Sequence, residues 1–367
     1  EDKANAEQKA IIEKLAQEYQ DELDNLGVRV STLEKKIGNI TWSGQVREWY
    51  EWRDDAIDNA GNKTNLNTRL LLFLNAPLSD SISFKGRIWA ESGWGEATDY
   101  GTGADASMDQ AYLVGTNGNV TWTLGRQGIQ LGQGLIYAWF ANNDGATLTF
   151  GSDNTKLTLA SFRHEVNANP LGFPIHADLN LVAANVSHKA SDNLDLSLAY
   201  AKNRKGDISE YGINADVVDS WALGAVYKGI NNITLTGEYG ENRSDLAKLW
   251  HAAWGEGHDS AKAWVAQAKY KGAQWDKTHS YGVWVGYRKA EPGFIGVNGD
   301  YVWETPTNIH GAYSLGYFMD NVEGFDYGFD YTVFKNGIFT VQYFDLEDEA
   351  TGYFDRKGFT TQLRYMF

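Results

Sequence analysis

The sequence predicts an all-β membrane protein: a 16-stranded antiparallel transmembrane β-barrel (residues 39–367) preceded by an N-terminal α-helical coiled-coil stalk (residues 1–38). Three observations predict it. Apolar residues recur with period two from residue 40 onward, the connections between these runs alternate short and long, and the chain closes on an amphipathic run ending in Phe367. In KGFTTQLRYMF, Phe359, Thr361, Leu363, Tyr365 and Phe367 share one parity while Thr360, Gln362, Arg364 and Met366 share the other. Alternate side chains of a strand point to opposite faces, so this strand has an aromatic and aliphatic face and a polar one. A sandwich strand in a soluble protein could carry the same pattern; the rest of the chain decides between them.

Residues 1–37 are rich in Ala, Glu, Lys, Gln and Leu and lack proline, which reads as one helix. Its apolar positions Ile12, Leu15, Tyr19, Leu23, Leu26, Val30, Leu33 and Ile37 are spaced 3, 4, 4, 3, 4, 3 and 4, a heptad seam with one stutter. A seam this narrow is buried by a partner helix, so Ile12, Leu15, Leu26, Val30, Leu33 and Ile37 form the expected core of a parallel coiled coil and the chain is expected to be an oligomer. A single helix lying on its own domain would show the same seam. Fully helical, the segment extends about 55 Å.

Sixteen period-two runs follow, at about 40–53, 66–76, 82–94, 108–116, 120–127, 145–150, 154–163, 176–187, 193–202, 218–228, 231–243, 262–271, 279–289, 324–335, 337–346 and 357–367. Connections after even-numbered runs are short, such as NGN at 117–119 and GSD at 151–153, and those after odd-numbered runs are longer. Short turns at one end and long loops at the other are the layout of bacterial outer-membrane barrels. The expected outward set includes Leu70, Leu72 and Leu74; Ile82, Phe84 and Ile88; Leu179 and Leu181; Leu194, Leu196, Leu198 and Tyr200; Tyr281, Val283, Val285 and Tyr287; and Phe325, Tyr327, Phe329 and Tyr331. Sequence alone does not say which face is inside. The interior of a 16-stranded barrel, too wide for side chains to fill, favours the polar set facing water and the apolar set facing lipid.

Composition agrees. The 367 residues include 14 Trp, 20 Tyr and 16 Phe, a density suited to interfacial aromatic belts, though an aromatic-rich soluble glycan-binding protein would share it. There is no cysteine, hence no disulfide framework or thiolate metal site. The net charge of −16 disfavours nucleic acid, and no apolar run reaches the roughly 18 residues of a spanning helix. The seven histidines lack ligand spacing, the acids of EGHDSAK and DLEDEATG lack that of a calcium loop, and no catalytic triad can be argued. Neither a metal nor a cofactor is expected, and an enzyme embedded in the barrel is a minor alternative.

The order of a helical stalk containing LGVRVSTLEKKIGNI (Leu26–Ile40), a first strand TWSGQVREWYEW and a terminal Phe367 resembles the OmpM type of outer-membrane porin, which carries S-layer-homology domains. The resemblance covers essentially the whole chain. It implies a homotrimer in the outer membrane, contacting its lipid and lipopolysaccharide, with a periplasmic stalk and passive diffusion of small hydrophilic solutes and ions. It also implies a peptidoglycan-binding domain ahead of Glu1; nothing in this chain matches that domain, so peptidoglycan is a partner only through it. The alternative function is structural, a barrel that anchors the membrane to the cell wall.

Parity assigns the expected pore lining. Arg47, Arg53, Arg69, Lys85, Arg87 and Arg364 face inward on strands that become neighbours when the barrel closes, and Arg126 stands at a strand end beside the next loop. Asp178, Asp195, Glu238, Asp326 and Asp330 form an opposite acidic arc. Opposed rows of charge would set a transverse field across the channel, whereas the simpler reading has each charge only solvating a wet wall. In general porins the loop after the fifth strand folds into the barrel; that resemblance assigns a constriction to Gly128–Asp144, with Leu135, Tyr137, Trp139, Phe140 and Asp144. An external loop at a subunit contact is the alternative.

Overall fold

The computed structural model describes residues 8–15, 17–20, 22, 40–55, 61–93, 105–168, 175–203, 216–253, 259–298, 318–353 and 355–367. From residue 41 the chain runs through β1 (Thr41–Asp55), β2 (Gly61–Pro77), β3 (Ile82–Gly93), β4 (Asp105–Asn117), β5 (Val120–Leu131), β6 (Tyr137–Gly151), β7 (Thr155–Ala168), β8 (Ile175–Ser191) and β9 (Leu194–Asn203). It continues through β10 (Asp219–Ile230), β11 (Ile233–Asn242), a helix (Asp245–Ala253), β12 (Ala261–Lys271), β13 (Tyr281–Ala290), the short β14 (Gly296–Asn298) and β15 (Phe318–Met319), then β16 (Val322–Phe334), β17 (Gly337–Glu347) and β18 (Asp355–Met366).

Among the described residues sixteen long strands pair antiparallel with their sequence neighbours, β13 bridging to β16, and β18 returns to pair with β1. The result is a 16-strand antiparallel barrel in which every expected run occupies a stave. β6 begins at Tyr137 rather than 145, and Asn142 explains the discrepancy. Its φ of 56° kinks the strand and breaks the alternation by which a strand is recognised.

Closure rests on the two ends of the sheet. Gln45 stands opposite Met366 and the register runs unbroken to Asp55 opposite Arg356. Gly44 and Phe367 exchange N–H···O bonds of 2.9 and 3.0 Å. The Phe367 ring lies over Gly44, where a Cβ would come within 2.3 Å of it, and stacks beside Tyr365 at 6.3 Å. The terminal aromatic therefore sits on the seam.

Alternation decides the faces. In β10, Leu223 is 55% exposed and Ala222 fully buried, and the buried parity is the one that touches chain crossing the interior. Outward positions carry Leu198, Leu223, Val283, Val285 and Phe329 between two aromatic levels. At the long-loop end Trp264 packs on Tyr287 at 5.1 Å and Tyr287 on Phe325 at 4.7 Å. At the short-turn end Tyr270 meets Tyr281 at 6.4 Å and Phe334 meets Tyr365 at 5.8 Å. From Trp221 to Tyr227 on β10 the belt is about 20 Å of strand, at about 3.4 Å per residue. Among the described residues no helix is long and apolar enough to cross a membrane.

One expectation is corrected here. Leu179 and Leu181 point inward and are buried, so Asp178 occupies the opposite, outward register; its side chain lies outside those described. The described N-terminal stretch is helical and exposed, including Ile12, Leu15 and Tyr19, while Leu26, Val30, Leu33 and Ile37 lie outside the described residues.

A branched residue at position 44 must displace the Phe367 ring, an overpacking that costs about 1–3 kcal/mol. Gly44→Val is therefore expected to lower the temperature at which the folded, fast-migrating band converts to the unfolded one on a detergent gel; an unchanged conversion temperature would contradict the seam contact.

Candidate functional site in the barrel interior

Three inward arginines lie side by side. Arg47 is the Cα partner of both Arg69 on β2 and Arg364 on β18, and all three are buried, Arg69 to 1% exposure. Like charges this close need local compensation. Arg47 donates to Glu91 at 3.0 Å and Arg69 donates to Gln45 at 2.9 Å. Each guanidinium also lies over an indole: Arg47 on Trp49 at 5.0 Å, Arg69 on Trp89 at 5.1 Å and Arg364 on Trp275 at 5.4 Å. Such contacts contribute about 0.5–2 kcal/mol, most where water is excluded. One strand on, Arg87 holds Asp109 through Nε at 3.0 Å and Nη2 at 2.6 Å. Asp109 turns inward because β4 is bulged there, Arg87 facing Gln110 and Ile88 facing Met108. Lys85 keeps the inward parity and is exposed nearer the short turn, whereas Arg53 lies on β1 with its side chain outside those described.

The acids do not form a separate opposing row. Asp326 accepts from Arg288 at 2.7 Å, and Asp330 accepts from Lys269 at 2.9 Å and from Thr340 at 2.9 Å. Lys269 lies over Trp284 at 5.0 Å, and that indole rests on Gly328, where a Cβ would meet it at 1.8 Å. Asp195 pairs with Lys228 at 2.8 Å, half-exposed at the short-turn end. The interior wall is therefore a series of short ion pairs, because an unpaired charge removed from water costs several kcal/mol. Glu91, Asp109, Lys269 and Arg288 complete those pairs; Glu91 and Lys269 were not singled out from sequence, their only signal being inward parity beside a predicted charge, and the bulge of β4 hid Asp109.

Arg126 and Asp144 depart from expectation. They pair with each other at 2.8 Å on the outward parity, two positions beyond the exposed Leu124, and are 42% and 52% exposed. Arg126 read as a lumen residue because it precedes a glycine-rich loop; the register of β5 places it outside.

The segment after β5 does cross the interior. Gly132 N–H donates to Asn185 on β8 at 2.8 Å, and Gln133 Nε2 donates to Ser197 on β9 at 3.2 Å. The Gln133 and Leu135 amides donate to the two carboxylate oxygens of Glu238 on β11, each at 2.8 Å. Gly132 has a φ of 58°, and a Cβ there would come within 2.0 Å of Glu238. Leu135, Ile136 and Tyr137 then pack on Phe162, Leu179, Leu181 and Ala199, which explains why the inner face of β7–β9 is apolar. Trp139 packs on His164 at 4.7 Å, and the Phe140 carbonyl accepts from the Gln110 amide and from Arg87.

A second segment, invisible in the sequence pattern, enters from the other side. β14 pairs parallel with β6, Val297 opposite Tyr137 and Asn298 opposite Ala138. Asn242 donates to the carbonyls of Gly293 and Phe294 at 3.1 and 3.0 Å, fixing its approach. Toward the short-turn end, Tyr112, Thr123, Gln127, Thr147 and Thr158 line a polar cavity of about 390 Å³ on the β4–β7 wall. Among the described residues no cluster of three His, Asp or Glu is placed to hold a metal ion.

Glu238→Ala leaves two buried amides without acceptors, each a loss of about 1–3 kcal/mol. The Gln133 and Leu135 amides should then exchange hydrogen at least tenfold faster while β13 amides are unchanged; equal protection in both proteins would contradict the latch.

No protein-family model matches the chain, and no curated protein matches it. Solved structures do. A triple mutant of the Rhodopseudomonas blastica porin aligns at 12% identity over 89% of this chain and 100% of its own, with a TM-score of 0.53. Pseudomonas aeruginosa OccK11 (OpdR) aligns at 12% identity over 89% and 96%, with a TM-score of 0.55. Salmonella typhi OmpF, in complex with daunomycin, aligns at 15% identity over 89% and 97%, also with a TM-score of 0.55. At these identities the likeness is one of fold: the chain shares the barrel architecture of these structures.

Proposed function

We propose that this protein is an outer-membrane porin, a passive channel for small hydrophilic solutes and ions, working as a homotrimer on an N-terminal coiled-coil stalk. The observation that carries the reading is the inversion of faces. A closed barrel with leucines, valines and aromatic rings outside and paired charges inside matches lipid without and water within. The porin architecture of the solved structures above supports the same assignment.

In this reading Arg47, Arg69, Lys85, Arg87 and Arg364 line the basic wall, and Glu238, Asp326 and Asp330 hold inserted chain or neighbouring cations. The segment from Gly132 to Phe140 narrows the passage, with Leu135 and Tyr137 against the wall and Glu238 as its tether. Selectivity then arises from the excess of arginine over carboxylate on β18–β3 rather than from a field across the channel.

A second reading is an envelope anchor whose barrel serves mainly to hold the membrane. The contact of the buried Trp49 with Trp284 inside the barrel favours it, since such packing takes up interior volume.

Purified protein in a planar bilayer is expected to give ohmic, stepwise openings; a reconstituted barrel without conductance would leave the anchor reading. Neutralising Arg69, Lys85 and Arg87 together with glutamine should move the reversal potential in a salt gradient toward cation selectivity, because Glu91 and Asp109 remain. An unchanged potential would remove the basic wall from the account.

A further inference from the structure

We propose that the recess on the β4–β7 wall is a binding site for a neutral polyhydroxylated solute, a sugar of one or two rings, on its way through the barrel. The proposal rests on the reading of the protein as a channel. The recess has a definite origin in the ladder. The β5–β6 register jumps from Gln127 opposite Asn143 to Ile129 opposite Trp139, so Phe140, Ala141 and Asn142 stand against Gly128 alone and the two strands part. The cavity formed there measures about 390 Å³, within the roughly 300–1,000 Å³ of small-molecule sites. It lies between the charged wall of β18–β3 and the wall of β7–β11 that inserted chain covers.

The lining selects the solute. Among the described residues no charged side chain lines the cavity. Three glutamines do, and each commits an amide N–H to a backbone carbonyl: Gln110 to Phe140, Gln127 to Gly145 at 3.3 Å and Gln130 to Gly132 at 3.2 Å. An amide held by its nitrogen keeps its oxygen as an acceptor in a fixed place. Thr123 and Thr147, opposite each other in the ladder, and Tyr112 add hydroxyls, which both donate and accept. Ile129, Leu131 and Ala160 are buried and supply an apolar floor, with Phe140 beside them. Fixed acceptors over an apolar floor suit a molecule that carries many O–H donors on a C–H framework. A carboxylate or phosphate has only acceptors to offer and would meet the three amide oxygens. An ammonium would lie beside Lys85, which stands opposite Tyr112 on the inward parity. A neutral, donor-rich solute meets neither obstacle.

The test uses the whole chain in a planar bilayer, with maltose as the probe and a poly(ethylene glycol) of equal hydrodynamic size as the control. Maltose is expected to lower the ion current saturably, with a half-effect concentration at least tenfold below that of the polymer. Maltose that acts only as the polymer does would overturn the site while leaving the channel reading intact; folded, reconstituted protein that passes no current would overturn both. Glucuronate at the same concentration is expected to leave the maltose half-effect unchanged, and competition by it would overturn the assignment to neutral solutes. Tyr112→Phe combined with Thr147→Val removes two hydroxyls at nearly constant shape and should raise the maltose half-effect concentration about tenfold. A conducting double variant with an unchanged value would overturn the placement of the site, and if that variant does not fold, the comparison of maltose with the polymer on the unaltered protein still decides.

Discussion

The whole structure depends on one constraint: an open sheet leaves a row of unpaired backbone N–H and C=O groups along each edge, and closing the sheet on itself removes both edges. Closure is made by the β1–β18 ladder and finished by the Gly44–Phe367 exchange. Once closed, the sheet has only two faces, and the period-two alternation sends one parity of each stave outward and the other in. The apolar outer belt, the aromatic levels at its rims and the crowding of charge inside are consequences of that single geometric requirement.

The interior then has its own problem, because sixteen staves enclose more space than their side chains fill. The chain supplies two answers. On β18–β3 and β12–β16 it places charges in contact, arginine or lysine on carboxylate and on indole faces, which offsets the cost of holding ions away from water. On β7–β11 it turns the wall apolar and lays backbone against it, held where Glu238 accepts the amides of Gln133 and Leu135. The same barrel thereby acquires a charged side and a packed side, and an asymmetric passage follows from that division.

The staves were legible because a half-buried strand advertises itself by alternation, and parity alone placed Arg47, Arg69, Arg87, Arg364, Asp326 and Asp330 inward. What was not legible had a physical reason in each case. A bulge at Asp109 and the left-handed Asn142 break the alternation, so the partner of Arg87 and the true start of β6 were hidden. Leu179 and Leu181 were assigned outward because leucine on a barrel strand normally meets lipid; here inserted chain supplies the apolar contact from within. Arg126 was assigned inward from its place beside a loop, yet its register puts it outside. The three-residue β14 has too little pattern to be found, and its role depends on a parallel pairing with a strand far away in sequence.

The central claim, that this inverted barrel conducts hydrophilic solutes, is tested most directly by osmotic swelling of vesicles carrying the purified protein. The account predicts swelling well above that of protein-free vesicles, falling steadily as the neutral sugar used as solute grows larger. Vesicles that contain the folded barrel and swell no faster than empty ones would contradict it.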